Sequence, residues 1–448
     1  MRLRSTHVLL LALVAIVLIG IIVNAIVTSQ RAILNRPPDI EILVTGKMRG
    51  RFELCGCPGE RAMSLPVRAQ AIRELTLTPE LRERLILIES GDFTSDRESV
   101  KVAMLAFKML GYDLVSIAQG EQPHIDEVLS QAKRLNIKLL ARGVKGGEVT
   151  GGLCKSLWTL DCSKYKVAFI TTGIQPTSSS DKAVKSKWDE VMQDIKSASK
   201  SADVVILVNY WNMELLKSVM KATDAGRLIT AVINHASSQQ LRRPEMQRQL
   251  ETSFLTLPNS LLPMPLLRIW IRKGKVRYIS MATYTVAEKI PDEKIKAIVE
   301  AYYRERQKRL MAQWSVIVRR ARKYTPPNAC AECHEGEYRQ WLTTKHASAI
   351  QTLKERHRLE PDCLKCHSEE FRQTKRLTAT EKGRGVECVS CHVELKDPTK
   401  VKEHGQMPSD RARPPRVDPQ KVCVQCHNKE HSPQFETMQS DYMSKVRH

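Results

Sequence analysis

Between Asp39 and Pro291 short apolar runs alternate with stretches in which apolar residues recur every three or four positions. Ile40–Val44, Leu85–Ile88, Leu114–Ile117, Leu139–Leu140, Val167–Ile170, Val204–Val208 and Leu228–Ile233 read as strands. Several are continuously apolar, the pattern of strands covered on both faces. Leu65–Leu75, Val100–Leu110 and Ile125–Leu135 carry the helical period. Leu267–Ile271 and Val276–Ala282, around Lys273-Gly274, read as a closing hairpin. The alternation predicts an α/β domain of layered sheet and helices over residues 39–290.

The pattern differs at both ends. Val8 to Val27 contains one polar side chain, Asn24, and as a helix would reach about 30 Å, enough to span a bilayer core. Val23-Asn24-Ala25 is a poor signal-peptidase site inside that run, so residues 1–29 read as an uncleaved signal anchor, a transmembrane helix. Arg2 and Arg4 keep its N-terminus in the cytoplasm and place the bulk on the extracytoplasmic side of a prokaryotic cell membrane, in the periplasm. Gln30–Pro38 is a linker. Asp292 to Lys323, within a 291–324 connector, forms one long helical pattern rich in Arg and Lys, stopped by Pro326-Pro327. It suits a helix resting on lipid headgroups and a solvated spacer equally. Over 325–448 periodicity collapses, and so little aliphatic content cannot fold unaided; disulfides, metals or cofactors must supply what the core lacks.

Charge and composition refine this picture. The 448 residues suit two or three domains, and 5% aromatics leave a core that leans on aliphatics or on something other than protein. The formal net charge is +22, but 325–448 holds 21 basic and 18 acidic side chains, +3, and the connector +6; residues 1–290 carry the remaining +13. The basic excess therefore lies on the anchor side, where it suits anionic partners or lipid. No basic motif is interleaved with aromatics, which argues against nucleic acid.

The cysteines identify what staples the last segment. Cys330-Ala331-Glu332-Cys333-His334, Cys363-Leu364-Lys365-Cys366-His367, Cys388-Val389-Ser390-Cys391-His392 and Cys423-Val424-Gln425-Cys426-His427 repeat one spacing. Two intervening residues let both thiols form thioethers to one haem, and the adjacent His then serves as proximal iron ligand. Zinc sites do not require that His every time, and disulfides explain neither spacing nor histidine. The motifs predict four covalently bound haems c, whose propionates, about eight, would make the segment net acidic. Five further histidines, His346, His357, His404, His431 and His448, lie in this segment against three in the first 324 residues, an enrichment that suits distal iron ligands. Met407, Met438 and Met443 are rival ligands that would raise the potential.

The segment from Asn328 to His448 resembles the tetrahaem cytochrome c-554 family. Trp341 with His346-Ala347-Ser348-Ala349, Gly385-Val386-Glu387 before the third motif, and Ser432-Pro433 with Phe435 after the fourth carry the resemblance. It implies distal ligation by His346, His404 and His448, closely stacked haem pairs, and a second haem without a distal His, which leaves His357 and His431 as spare candidates. The family's Gly-Pro after the third motif is replaced by Val393-Glu394.

Residues 40–285 resemble the calcineurin-like metallophosphoesterases of the 5′-nucleotidase type. Leu87 to Gly91-Asp92, Met109 to Asp113, Asp203–Val208 and Ile233 to His235 carry the likeness. The ligands such catalysis needs are mostly replaced: Lys47-Met48-Arg49, Gln119-Gly120, Tyr210 and Asn234-His235-Ala236-Ser237 stand in their places, and Asp92 and His235 remain. Two ligands beside an added Lys and Arg hold two divalent ions poorly, so the domain is expected to be a scaffold or docking unit without phosphoesterase activity. Outside the cytoplasm Cys55, Cys57, Cys154 and Cys162 suit disulfides, Cys154–Cys162 being the simplest pair; a redox or metal role for Cys55 and Cys57 stays open.

Three functions follow from these readings. The first is an electron carrier between a donor and an acceptor redox protein, with no substrate chemistry. The second is an enzyme acting on a small nitrogen or oxygen species at an open-coordinate haem. The third is a redox sensor that uses the N-terminal domain.

Overall fold

The computed structural model describes residues 36–53, 64–176, 181–235, 243–249, 251–257, 264–284, 290–316, 324–377, 383–406, 417–428, 431–432 and 434–446. The predicted membrane anchor, Cys55, Cys57, Met407 and His448 lie outside them. Among the described residues no helix is long and apolar enough to cross a membrane. The chain divides into two units, Met1–Arg51 with Arg68–Ile290, and Phe52–Val67 with Pro291–His448.

The first unit has strands β1 (Ile40–Thr45), β2 (Leu85–Glu89), β3 (Leu114–Ser116), β4 (Leu139–Leu140), β5 (Cys154–Lys155), β6 (Leu157–Cys162), β7 (Tyr165–Thr171), β8 (Val204–Asn209), β9 (Ala231–His235), β10 (Glu245–Gln249), β11 (Thr252–Leu257), β12 (Met264–Arg272) and β13 (Lys275–Tyr284). They form two sheets, ordered β13-β12-β1-β2-β3-β4-β5 and β10-β11-β9-β8-β7-β6. β1 through β5 run parallel, as do β7, β8, β9 and β11, while β12, β13, β6 and β10 are antiparallel to their neighbours. Alternate residues of both sheets, among them Ile40, Ile42, Ile86, Ile206 and Val208, share one core. The intervening residues of β7 to β9, such as Val205 and Leu207, pack with Trp188, Val191 and Ile195 of the helix Asp181–Ser201. Burial on both faces explains why β8 reads as Val-Val-Ile-Leu-Val rather than as an alternation.

The helix Arg97–Leu110 begins three residues before the predicted start because Asp96 caps it, accepting from Ser99 N, and Gly111 closes it at φ 72°. The predicted Cys154–Cys162 disulfide is absent, and both are free thiols. Cys154 opens β5 in one sheet and Cys162 ends β6 in the other. Extended chain advances about 3.3 Å per residue, whereas a disulfide needs Cα atoms within about 7 Å.

In the second unit the basic helix Glu293–Val316 is packed rather than free. Tyr303 Oη accepts from the backbone N–H of Phe52 (3.0 Å) and of Glu53 (3.2 Å), and the Arg358 guanidinium lies 4.2 Å from its ring centroid. Leu310 packs against a cluster of buried side chains, Ile350, Leu353, Leu359, Leu364 and Phe371, and Ile295, Val299, Tyr302 and Tyr303 of the helix are buried as well. The remainder of its described residues is short helices of three to eight residues and irregular chain.

Candidate functional site

Each Cys-x-x-Cys-His motif forms about one helical turn. His334 N donates to Cys330 O (2.9 Å), His392 N to Cys388 O (2.9 Å) and His427 N to Cys423 O (2.8 Å), while the second motif closes the helix Pro361–His367. A helical turn brings positions three and four apart onto one face, so two thiols and an imidazole are presented together. The turns associate in pairs: the Cys330 side chain lies beside that of Cys388, and Cys366 beside Cys426, with Cys366 Sγ 4.0 Å from Gln425 O. Motif one therefore lies against motif three, and motif two against motif four.

The histidines pair across the sequence. The His334 and His404 rings stand 5.9 Å apart and nearly parallel, at 14°; His346 and His427 stand 6.2 Å apart at 54°. Two imidazoles bracketing one metal, each with a bond of about 2 Å and a ring centre about 1 Å beyond, have centres about 6 Å apart. Both pairs fit two axial ligands of one iron. Phe435 stacks on His427 at 4.9 Å, with Tyr442 edge-on at 5.4 Å. His367 Nδ1 lies 2.9 Å from Ala349 O, the outer contact that leaves Nε2 for a metal. Burial holds His346, His367 and His427 below the ordinary histidine value, which favours the neutral, ligating ring.

Between the motifs runs a buried carboxylate network that the sequence reading missed, because nothing local distinguishes these glutamates from surface ones. Glu369 accepts from Ser390 Oγ (2.6 Å) and Gln373 Nε2 (2.9 Å) and pairs with Arg372. Glu370 pairs with Arg384 at 2.9 Å, and Glu387 accepts from Tyr324 Oη. Burial raises Glu387 to about 7. These charges tie the residue before motif three to the helix after motif two. Gly385 lies so close to His346 that an added Cβ would be 2.2 Å from its carbonyl oxygen. Trp341 Nε1 donates to Val386 O at 2.9 Å, so the aromatic and glycine marks of the resemblance meet in space.

In the first unit the retained Asp92 and His235 lie at the carboxyl ends of β2 and β9, where ligands of open α/β sheets bind. Lys47, Arg49 and Asp92 adopt left-handed backbone at φ 59°, 48° and 56°, a strain that persists only where the surroundings enforce it. Lys47 N and Arg49 N donate to Gly91 O (2.9 Å) and Asp92 O (2.8 Å), and the Arg49 guanidinium is 3.8 Å from the Asp92 carboxylate. Tyr210 Oη donates to Ser90 O or Ser116 Oγ, each at 2.6 Å. Its ring lies 4.8 Å from that of His235. Burial lowers Lys47 to about 8 against the pull of Asp92, and burial with Lys47 lowers His235 to about 4. Among the described residues no three His, Cys, Asp or Glu side chains converge to hold a metal ion. The residues present do not fit a dinuclear centre: protein cations and a phenol occupy this end of the sheets.

Glu121, also missed from sequence, organises the same end. Its carboxylate accepts from the backbone N–H of Asp92 (3.0 Å), Phe93 (2.8 Å), Thr94 (3.3 Å) and Ala118 (2.9 Å). Burial raises it to about 7, and raises Glu89 to about 8. Both folded values lie above the unfolded one, so their stabilisation is complete in acid and is lost as pH rises through 7 and 8. His235 opposes this below its ordinary value of 6.5, and Lys47 from about 8 upward. Between pH 6.5 and 8 the two glutamates dominate, and stability is expected to fall by about 2 kcal/mol. Denaturant midpoints followed by Trp188 and Trp211 fluorescence at the two pH values check this; an unchanged midpoint removes it.

Residues 329–393 match the family described as cytochrome c554 and c-prime. This stretch is thus cytochrome c, a class that implies covalently bound haem c and redox partners. No curated protein matches the chain. Among solved structures the chain is similar to the sulfate thiohydrolase SoxB of Thermus thermophilus in complex with glycerol, at 13% identity and TM-score 0.47, over 61% of this chain and 62% of that one. It is also similar to the NAD nucleotidase of Haemophilus influenzae, at 10% and 0.46 over 70% and 68%, and to a calcineurin-like phosphoesterase of Bacillus subtilis, at 11% and 0.40 over 60% and 98%. The chain spans less than two thirds of the thiohydrolase.

Proposed function

We propose that this protein is a membrane-anchored, extracytoplasmic tetrahaem cytochrome c that relays electrons between a donor and an acceptor protein. The observation that carries the reading is the pairing of His334 with His404 and of His346 with His427 at separations suited to a shared iron. When bound, the haems supply reversible one-electron transfer. The chain's residues do the rest. Eight cysteines would tether the haems, His334, His367, His392 and His427 would hold the irons, and His346 and His404 would serve as second ligands at two of them. Imidazole on both faces of those two sites would favour low potentials there. The association of motifs one with three and two with four supports close haem pairs, the arrangement a relay needs.

The first unit serves as a scaffold or docking domain, since the side chains at its sheet ends do not fit a two-metal hydrolase. With the basic excess on the anchor side, it is the better candidate for holding anionic lipid or partners.

The test is a haem count and a ligand titration on the purified full chain. Four haems per chain, recovery with membranes, and no turnover of nitrite or hydroxylamine by the reduced protein are expected. Turnover of either supports the haem-enzyme alternative and removes the carrier. Manganese-stimulated phosphatase activity would remove the scaffold role.

A further inference from the structure

We propose that the tip of the β12–β13 hairpin, with Arg272, Lys273, Lys275 and Arg277, docks the first unit on the anionic phospholipid surface into which the N-terminal anchor would insert. The proposal rests on the anchored reading and names the surface through which that unit meets lipid.

The tip concentrates charge that the fold leaves unmatched. In Arg272-Lys273-Gly274-Lys275-Val276-Arg277 every residue but Gly274 and Val276 is cationic, and none is acidic. All of these cationic residues are exposed. Among the described residues none of them enters an ion pair, whereas Arg36, Arg84 and Arg268 at the same end of the sheet are matched to Asp39 and Glu41. Arg272 and Lys275 stand directly opposite each other in the strand pairing, and like charges in that position repel. Lys273 and Gly274 turn the chain at φ 52° and 68°, a left-handed pair whose first position Asn, Asp or Gly fills at less cost. A Cβ on Gly274 would meet nothing within 4 Å, so the tip is open. The hairpin gains nothing from these cations by itself; an anionic surface offsets their repulsion.

The chain arriving from the anchor is fixed beside this tip. Arg36 Nη2 donates to Ile271 O (2.7 Å) and Trp270 Nε1 to Arg36 O (3.0 Å). Asp39 N donates to Ile269 O (2.9 Å) and Ile271 N to Asp39 Oδ2 (2.6 Å). The apolar run ends at Val27. The stretch from there to Arg36 spans at most about 32 Å when fully extended, so the tip is tethered within reach of the bilayer surface. A tethered contact needs little affinity of its own. Each Lys or Arg within a Debye length, about 10 Å, of anionic lipid adds about fivefold to binding.

The β6–β7 turn reaches the same end, with Tyr165 Oη 3.4 Å from Asp39 Oδ1. Its exposed Lys164 and Lys166 are balanced by the exposed Asp161 and Asp203, so the hairpin tip carries the excess. β12 runs antiparallel to β1, which puts the tip at the amino end of the parallel strands. Asp92 and His235, at the carboxyl ends, would stay turned away from the bilayer.

The experiment places the full-length chain in nanodiscs of phosphatidylcholine alone, or of two parts phosphatidylcholine to one of phosphatidylglycerol. Lysine acetylation is then followed residue by residue by mass spectrometry. Lys273 and Lys275 are expected to react about tenfold more slowly on the anionic discs, a difference lost in high salt. Lys182 and Lys185, on the helix Asp181–Ser201 that follows the carboxyl end of β7, should react alike on both. R272Q/R277Q is expected to abolish the protection with haem content and denaturation midpoint unchanged, since two such charges are worth about 30-fold. Equal rates at Lys273 and Lys275 on both discs overturn the proposal and leave the anchor standing. Protection by soluble polyglutamate but not by anionic discs overturns it in favour of an acidic protein. A chain recovered with neither disc overturns the anchored reading and this proposal with it.

Discussion

Replacing Cys388 and Cys391 together by alanine is expected to lower the haem content from four to three per chain and to cost the second unit about 4 kcal/mol or more. Effects of that size come from a short list of causes, and loss of a covalent or metal staple is among them. Within 325–448 the described apolar cluster is small, Ile350, Leu353, Leu359, Leu364 and Phe371, so that segment has little else to fall back on. Motif three is also its electrostatic centre. Ser390 donates to the fully buried Glu369, and Glu387 N donates to Ser390 Oγ at 3.0 Å. Without a haem to fix this turn, buried carboxylates lose the partners that make burial tolerable. Cys388 also contacts Cys330, so disorder spreads to the first motif. Pyridine haemochrome titration gives the count, and limited proteolysis of the full chain gives the stability. Four haems retained in the variant would show that motif three does not attach one.

Gly385→Ala has the second-largest expected effect, and it acts without touching a cysteine. The new methyl would meet His346 O at 2.2 Å, Ala349 N at 3.0 Å and Ala349 Cβ at 3.1 Å. The first two are backbone atoms, and the region cannot yield cheaply. His346 O already accepts from Val386 N (3.0 Å) and Ala349 N (3.2 Å), and Gly385 O accepts from Glu369 N (2.9 Å). Overpacking of this kind costs about 3 kcal/mol. The displacement falls on His346, whose ring faces His427. The variant should therefore show a lowered denaturation midpoint together with one partly high-spin haem. A variant as stable as wild type, with an unchanged spectrum, would show that this contact does not position His346.

Much of the first unit was legible in its residues. β1, β2, β3, β4, β7 and β8 fall on predicted apolar runs, and the β12–β13 hairpin turns at Lys273-Gly274 as the glycine predicts. What escaped had no local signal. β10, Glu-Met-Gln-Arg-Gln, is a strand only because β11 offers it an edge. Leu228–Ile233 was read as strand, but its start is the short helix Ala225–Leu228 and β9 begins at Ala231. The long helix Asp181–Ser201 went unread, although Val184, Trp188, Val191 and Ile195 mark its buried face. Strands buried on both faces do not reveal to which of two sheets they belong, and the disulfide expectation failed on that point.

The sequence by itself determined the cofactor chemistry. Covalent haem attachment depends on five consecutive residues, and a single helical turn suffices to align them, so Cys-x-x-Cys-His is complete before the chain folds. The tertiary structure decided which motifs adjoin, which histidine faces which, and why Gly385 must lack a side chain. Ring pairs such as His334 with His404 join residues far apart in the chain, and only packing brings them to 5.9 Å. The same holds for Glu121 and Lys47: their shifted acidities come from burial, which no local pattern encodes.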